Sequence, residues 1–187
     1  KDPKDYLLEL IGEDRHIDLS KENAEYGNYG EDIKRFPIDT ARLKNVVNRV
    51  AKMSDWDAKK AQGKALGIAV HRSFCAFVAC VVEVSKTSAG KIKVDNVWFS
   101  VDCGTAVNPE RIRSQMEGAA VFGVSLTLFS ELTAKDGVIE QTNFHDYQLA
   151  RIADAPHTET DIVESDEPPG GVGEPGVPPV APAICNA

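Results

Sequence analysis

One ionisable side chain stands inside a run that otherwise offers only backbone and small apolar groups. It is Glu174, in Gly170-Gly171-Val172-Gly173-Glu174-Pro175-Gly176-Val177-Pro178-Pro179-Val180-Ala181-Pro182. Gly173 before it lets main chain approach a ligand closely, and Pro175 after it biases the glutamate towards extended geometry, so the backbone sets the carboxylate's direction. A carboxylate held in that way suits general-base chemistry. Six of the ten prolines and four of the fourteen glycines fall between Pro168 and Pro182, yet Val172, Val177, Val180 and Ala181 would have no use in a solvated linker. The composition predicts a loop that packs. The plainer alternative is a Gly/Pro-rich connection whose glutamate is merely solvated. Gly171, Gly173 and Gly176 also satisfy G-x-G-x-x-G, but a nucleotide fingerprint opens a helix directly after a strand, and Pro175, Pro178 and Pro179 delay any helix here.

Gln115 is the second candidate. Asn108 can cap and Pro109 can open a helix expected to run to Leu132, about 36 Å long at 1.5 Å per residue. After Glu117 this helix is apolar or small all round, which predicts burial on every side. Gln115 falls where it enters the interior, beside Ser114, Gly118 and Ala119. A buried amide must find partners, either other core groups or a ligand that the small neighbours leave room for. His145 next to Asp146 is assigned no acid-base role, since neighbours on an extended chain point apart, and His71 is left without a role.

The elements that must position these groups can be read from periodicity. Asp2 caps and Pro3 opens a short helix stopped by Gly12. From Glu13 to Asp39 the chain is polar and aperiodic, with turns at Tyr26 to Gly30. From Thr40, read as a cap, Leu43, Val46, Val47, Val50 and Met53 recur at helical spacing up to Trp56. Three strands follow. Leu66, Ile68 and Val70 share one face; Phe74 to Val84 is apolar on both faces and reads as a central strand; and Lys91 to Val101 changes phase at Asp95-Asn96, a candidate bulge. Lys135 to Val138 reads as a hairpin turn, Thr142 to Tyr147 as an irregular buried segment, and His157 to Val163 as an edge strand. The fold class is therefore α+β, a mostly antiparallel sheet packed with long buried helices, divided into an N-terminal helical and irregular segment, 1–62, and a C-terminal part, 63–187.

Composition bounds the rest. Apolar content of 42% with 27% charged residues is ordinary for a globular chain of this length, and a net charge of −8 argues against general nucleic-acid binding. Basic residues between Arg42 and Arg72 are read as a solvated face. The longest apolar run free of Lys and Arg, from Gly118 to Ser130, is too short to span a bilayer, so no transmembrane segment is expected. Cys75, Cys80, Cys103 and Cys185 form no C-x-x-C pair; Cys75 and Cys80 would sit on opposite faces of a strand, and buried free thiols are expected. The chain starts at Lys1 without methionine and stops as a helix begins at Ile184, so a piece of a longer protein is expected. No H-E-x-x-H, Walker loop, G-x-S-x-G or internal repeat occurs.

Several segments, taken in order, carry a resemblance: Gly67-Ile68-Ala69-Val70-His71 with Ser73-Phe74, Val101-Asp102-Cys103-Gly104 with Val107-Asn108-Pro109, Gln115-Met116-Glu117-Gly118, Asn143-Phe144-His145-Asp146-Tyr147, and Gly171-Val172-Gly173-Glu174-Pro175-Gly176 with Pro178 to Ala183. Together they resemble the C-terminal part of the molybdopterin-binding large subunit of the xanthine oxidase and aldehyde oxidase family, in the branch of the isoquinoline 1-oxidoreductase beta subunit. The resemblance implies that residues 63–187 belong to a molybdenum cofactor-binding domain. It implies a molybdopterin-type molybdenum cofactor, in bacteria often the cytosine dinucleotide form, and hydroxylation of an N-heterocycle or aldehyde with oxygen taken from water. Glu174 matches the family's general base. Gln115 matches a glutamine beside the cofactor, and Gly173 lies in the same cofactor-facing motif; no protein residue is implied as a metal ligand. The partners implied are the remainder of the large subunit, a small subunit carrying iron-sulfur clusters, and a small-molecule heterocycle or aldehyde. The cofactor is expected only in the full-length subunit, and this piece alone is expected to be inactive. A catalytically silent interaction or scaffold domain that keeps the fold without cofactor is the alternative.

Overall fold

The strand with two apolar faces organises the molecule. In the computed structural model, which describes residues 1–22 and 25–187, β2 (Ala76–Lys86) lies between β1 (Ala65–Ser73) and β3 (Ile92–Asp102), antiparallel to both. Asn23 and Ala24, within the stretch expected to be aperiodic, lie outside the described residues. Phe77, Ala79 and Val81 project to one side of β2, where Leu66, Ile68 and Trp98 join them against α2 (Thr40–Met53). Ala76, Val78, Cys80 and Val82 project to the other, against α4 (Pro109–Leu128) and α5 (Val180–Asn186). The expected bulge is present. Glu83 pairs with Asn96 and Val84 with Val94, which leaves Asp95 as the extra residue.

The sheet order is β1-β2-β3-β6, where β6 (His157–Ile162) is the edge strand expected there and runs parallel to β3. Parallel neighbours need a long crossover, and α4 supplies it. The chain then passes through a small hairpin, β4 (Ala134–Lys135) and β5 (Val138–Ile139), turning at Asp136 and Gly137, both at positive φ. The N-terminal helix α1 (Pro3–Ile11) forms as its caps predict, with Asp2 accepting from the Lys4 and Asp5 amides. α5 rests directly on β1: a Cβ on Gly67 would fall 1.9 Å from the Ala183 carbonyl oxygen, and Asn186 donates to the Ile68 carbonyl at 3.3 Å.

Several expectations are corrected. Asp39, not Thr40, caps α2, accepting from the Ala41 amide at 2.7 Å, while Thr40 is buried and spends its hydroxyl on the backbone of Glu13 and Arg15. That helix stops at Met53, because Asp55 takes φ 52 and swings Trp56 into a separate short helix, α3 (Trp56–Ala61), with its indole donating to Asp2. α4 ends at Leu128 and is buried on one side only; Phe122 and Leu126 are 53% and 44% exposed. Thr142 to His145 is exposed, with Phe144 93% accessible, while Asp146 and Tyr147 are half-buried; the chain turns there, bringing His145 Nε2 within 2.9 Å of Asp146 Oδ1. Cys75 sits in the β1–β2 turn, not on a strand, and Cys185 is exposed while the other three thiols are buried.

The basic stretch is solvated only in part: Arg49, Lys52 and Lys64 are exposed, but several of its cations are paired. Arg42 pairs with Asp102, Arg49 with Asp161 at 2.6 Å, and Lys59 with Glu83 at 2.8 Å. Glu83 is 6% exposed; burial resists its ionisation, but Lys59 and Lys64 outweigh that and hold its pKa below the ordinary carboxylate value. Hydrogen bonding from Arg49 does the same for Asp161 against an opposing burial, helped by the Ser100 hydroxyl at 2.9 Å. A carboxylate with a depressed folded pKa contributes stability above its unfolded value, about 4, and that contribution is lost as pH falls through the folded value. Urea midpoints measured against pH are therefore expected to fall most steeply below about pH 4; a midpoint constant down to about pH 2 would contradict the pairing.

Candidate functional site

The Gly/Pro-rich loop packs because its prolines and valines find surfaces. Pro175, Gly176, Pro179 and Val180 are buried, and Val172 and Val177 lie against the core beneath α4 and α5. Its first half is tied by backbone. The Gly170 amide donates to the Cys103 carbonyl at 2.8 Å and the Gly171 amide to the Phe74 carbonyl at 2.7 Å. Both glycines are required by close approach, since a Cβ on Gly170 would lie 2.9 Å from the Cys75 carbonyl and one on Gly171 would lie 2.8 Å from Phe74 Cβ. The second half is seated on α4. A Cβ on Gly176 would fall 2.7 Å from Met116 Sδ and 2.9 Å from Ala119 Cβ.

Between these anchors stands Glu174. The residue is exposed, its carboxylate has no hydrogen-bond or ion-pair partner among the described residues, and its backbone carbonyl accepts from the Val177 amide at 2.9 Å. Gly173 has neither a positive φ nor any atom within 4 Å of where a Cβ would stand, so nothing inside this chain requires a glycine there.

Gln115 is exposed, which corrects the expectation of a buried amide. The inward stripe of α4 runs through Ile112, Met116, Ala119, Ala120 and Val124, and Gln115 lies on the outer face with Ser114 and Gly118. Its amide also lacks a partner among the described residues. Because Gly176 packs on Met116, the loop of Glu174 and the helical turn of Gln115 adjoin, and both side chains open onto solvent. The structure thus brings the candidate residues to one region without enclosing them. His145 and Asp146 form an exposed contact elsewhere, and His71 is half-buried on β1, where burial pushes its imidazole pKa down. An apolar groove of about 640 Å³ lined by Ile92, Val124, Leu128 and Phe129 lies at the opposite end of α4.

The turn that anchors the loop escaped sequence reasoning. Phe74 and Cys75 close the β1–β2 hairpin at φ 49 and 63, a left-handed conformation that costs roughly 1–2 kcal/mol per non-glycine residue. Ser73-Phe74-Cys75-Ala76 carries none of the Gly, Asn or Asp that usually announces such a turn. Tyr29, also at positive φ, stacks on Phe74 with ring centroids 4.7 Å apart.

Among the described residues no three His, Cys, Asp or Glu side chains are grouped to hold a metal ion. A pterin carries amide-like edges, and a free glutamine amide, a free carboxylate and the open space at Gly173 and Gly118 suit such a group.

The molybdopterin cofactor-binding domain family matches residues 20–156. The chain is 38% identical over 146 residues to the isoquinoline 1-oxidoreductase subunit beta of Brevundimonas diminuta, covering 76% of this chain and 19% of that protein. It is 30% identical over 194 residues to the membrane-bound aldehyde dehydrogenase [pyrroloquinoline-quinone] of Gluconacetobacter polyoxogenes, covering all of this chain and 23% of that protein. It therefore spans about a fifth of the length of the curated relatives it matches. Among solved structures, a Cu,Mo-CO dehydrogenase superposes with a TM-score of 0.55 at 25% identity, over 60% of this chain and 15% of that one.

Proposed function

The chain belongs to the molybdopterin cofactor-binding domain family of the xanthine oxidase type, and from that premise we propose that it is part of a molybdenum hydroxylase oxidising an N-heterocycle or an aldehyde. The observation that carries this reading is Glu174: a carboxylate with no partner among the described residues, on a loop tied to the β1–β2 turn on one side and to α4 on the other.

Glu174 is the general base. Its carboxylate takes the proton from the water-derived oxygen as that oxygen attacks the electrophilic carbon of the substrate. The C–H bond of that carbon breaks with its electron pair going to the oxidant that the bound cofactor would supply. Gln115 holds the pterin through its amide, which can donate and accept along one edge. Gly173 leaves the main chain bare where the cofactor approaches. When bound, the molybdenum cofactor supplies the two-electron oxidising capacity that no side chain has. Electrons leave through a small iron-sulfur subunit, the cytosine dinucleotide form of the cofactor fits a bacterial relative, and the present chain alone turns over nothing.

The solvent exposure of Glu174 and Gln115 also supports a second reading, an interaction domain that keeps the fold without catalysis. Metal analysis separates them. The full-length subunit, co-expressed with its small partner in a host that makes the cofactor, is expected to carry molybdenum at close to one per chain; none in such a host would favour the silent domain.

A further inference from the structure

The loop of Glu174 hangs from the turn that follows β3, and that turn is set by a buried ion pair to which the base chemistry gives no part. Asp102 ends β3 and is 3% exposed. Arg42, from the first turn of α2, meets it with a forked contact, Nε to Oδ2 at 2.9 Å and Nη2 to Oδ1 at 2.6 Å. The guanidinium lies over the Phe77 ring, 4.8 Å from its centroid. Burial works against the charge on Arg42, but the hydrogen bonds and charge of Asp102 more than restore it.

The same Asp102 Oδ1 accepts the Gly104 amide at 3.1 Å. Gly104 takes φ 71, and a Cβ there would fall 2.2 Å from the Pro168 carbonyl oxygen and 2.6 Å from that of Glu167. Beside it, the Thr105 amide and hydroxyl donate to the Glu167 carbonyl at 2.8 Å and 3.0 Å, and the Cys103 carbonyl receives Gly170. Each link touches the next. Arg42 holds Asp102, Asp102 holds Gly104, and the bare face of Gly104 seats the segment that leads into the loop.

We propose that Arg42 and Asp102 are a positioning pair for the loop that presents Glu174. Neither touches substrate or cofactor; the pair fixes where the loop begins and hence where its carboxylate stands. The consequence for turnover rests on Glu174 being the base, whereas the consequence for the loop does not.

The test is Asp102→Asn in the full-length subunit with its iron-sulfur partner. An amide in this place sets a donor against a donor in either orientation, against Arg42 Nε on one side or against Arg42 Nη2 and the Gly104 amide on the other. Hydrogen exchange is expected to quicken about tenfold or more at the amides of Thr105, Gly170 and Gly171, with the β1–β2 ladder unchanged. With isoquinoline as probe substrate, kcat is expected to fall about 10- to 100-fold with KM within about twofold, as for a misplaced catalytic group. Arg42→Lys keeps the charge but not the fork; it is expected to loosen the same amides less, and it carries the test if Asp102→Asn does not fold. Unchanged exchange at those three amides, or an increase spread evenly over the sheet, overturns the proposal. Failure of the base reading would show separately, as turnover retained in Glu174→Gln with the exchange result intact.

Discussion

Replacing Glu174 with Gln in the full-length subunit is expected to lower kcat by about 10²- to 10⁴-fold, the usual contribution of a positioned general base. Molybdenum content and thermal stability are expected to stay at wild-type values. The second expectation follows from the structure: the side chain is exposed and makes no hydrogen bond within the described residues, so its replacement removes no internal contact. Gln keeps the size and loses the basicity. Steady-state rates on isoquinoline and on benzaldehyde, read beside metal analysis and a melting curve, make the measurement. A rate within about threefold of wild type would remove Glu174 from the base role, and a loss of molybdenum would move it from proton transfer to cofactor retention.

The largest expected effect on stability belongs to Phe77→Ala. Phe77 is fully buried on β2, opposite Arg72 on one neighbouring strand and Asp102 on the other. Its ring lies beneath two guanidiniums, those of Arg42 at 4.8 Å and Arg72 at 5.5 Å. Truncation leaves a cavity and removes the apolar floor on which both cations rest. Core Phe→Ala changes cost about 3–5 kcal/mol, which at roughly 2–4 °C per kcal/mol for a chain of this size lowers Tm by about 6–20 °C. Urea denaturation of wild type and variant checks it, and a loss under about 1 kcal/mol would mean that the ring is not packed as its burial indicates.

The strands and two of the three expected caps were legible because their causes are local, whereas Thr40 was read as the cap that Asp39 supplies. Alternation marked β1, two apolar faces marked β2, the change of phase marked the bulge at Asp95, and Asp2 and Asn108 capped the helices that their spacing predicted. Glu174 and Gly173 stood out by residue type, and the structure adds the backbone ties on either side. What was not legible depends on which surfaces topology brings together. Gln115 was expected inside, yet the side of α4 that faces β3 and α5 is the one through Met116 and Ala119, and Gln115 points away from it. His145 meets Asp146 because the chain turns there, not because of their order in sequence. Arg42 and Asp102 are 60 positions apart, so no window of sequence could pair them.

Gly67 sets a condition on how the molecule assembles. The backbone of α5 lies on that bare strand position, and Asn186 reaches the Ile68 carbonyl across 118 positions of sequence. Closing a contact of such separation costs loop entropy, which the burial of α5 against the sheet must offset. The segment carrying the acid is fastened at its start by the hairpin and at its far side by Gly176 on α4 and by α5 on β1. Its aim thus depends on a bare strand position far from it in sequence.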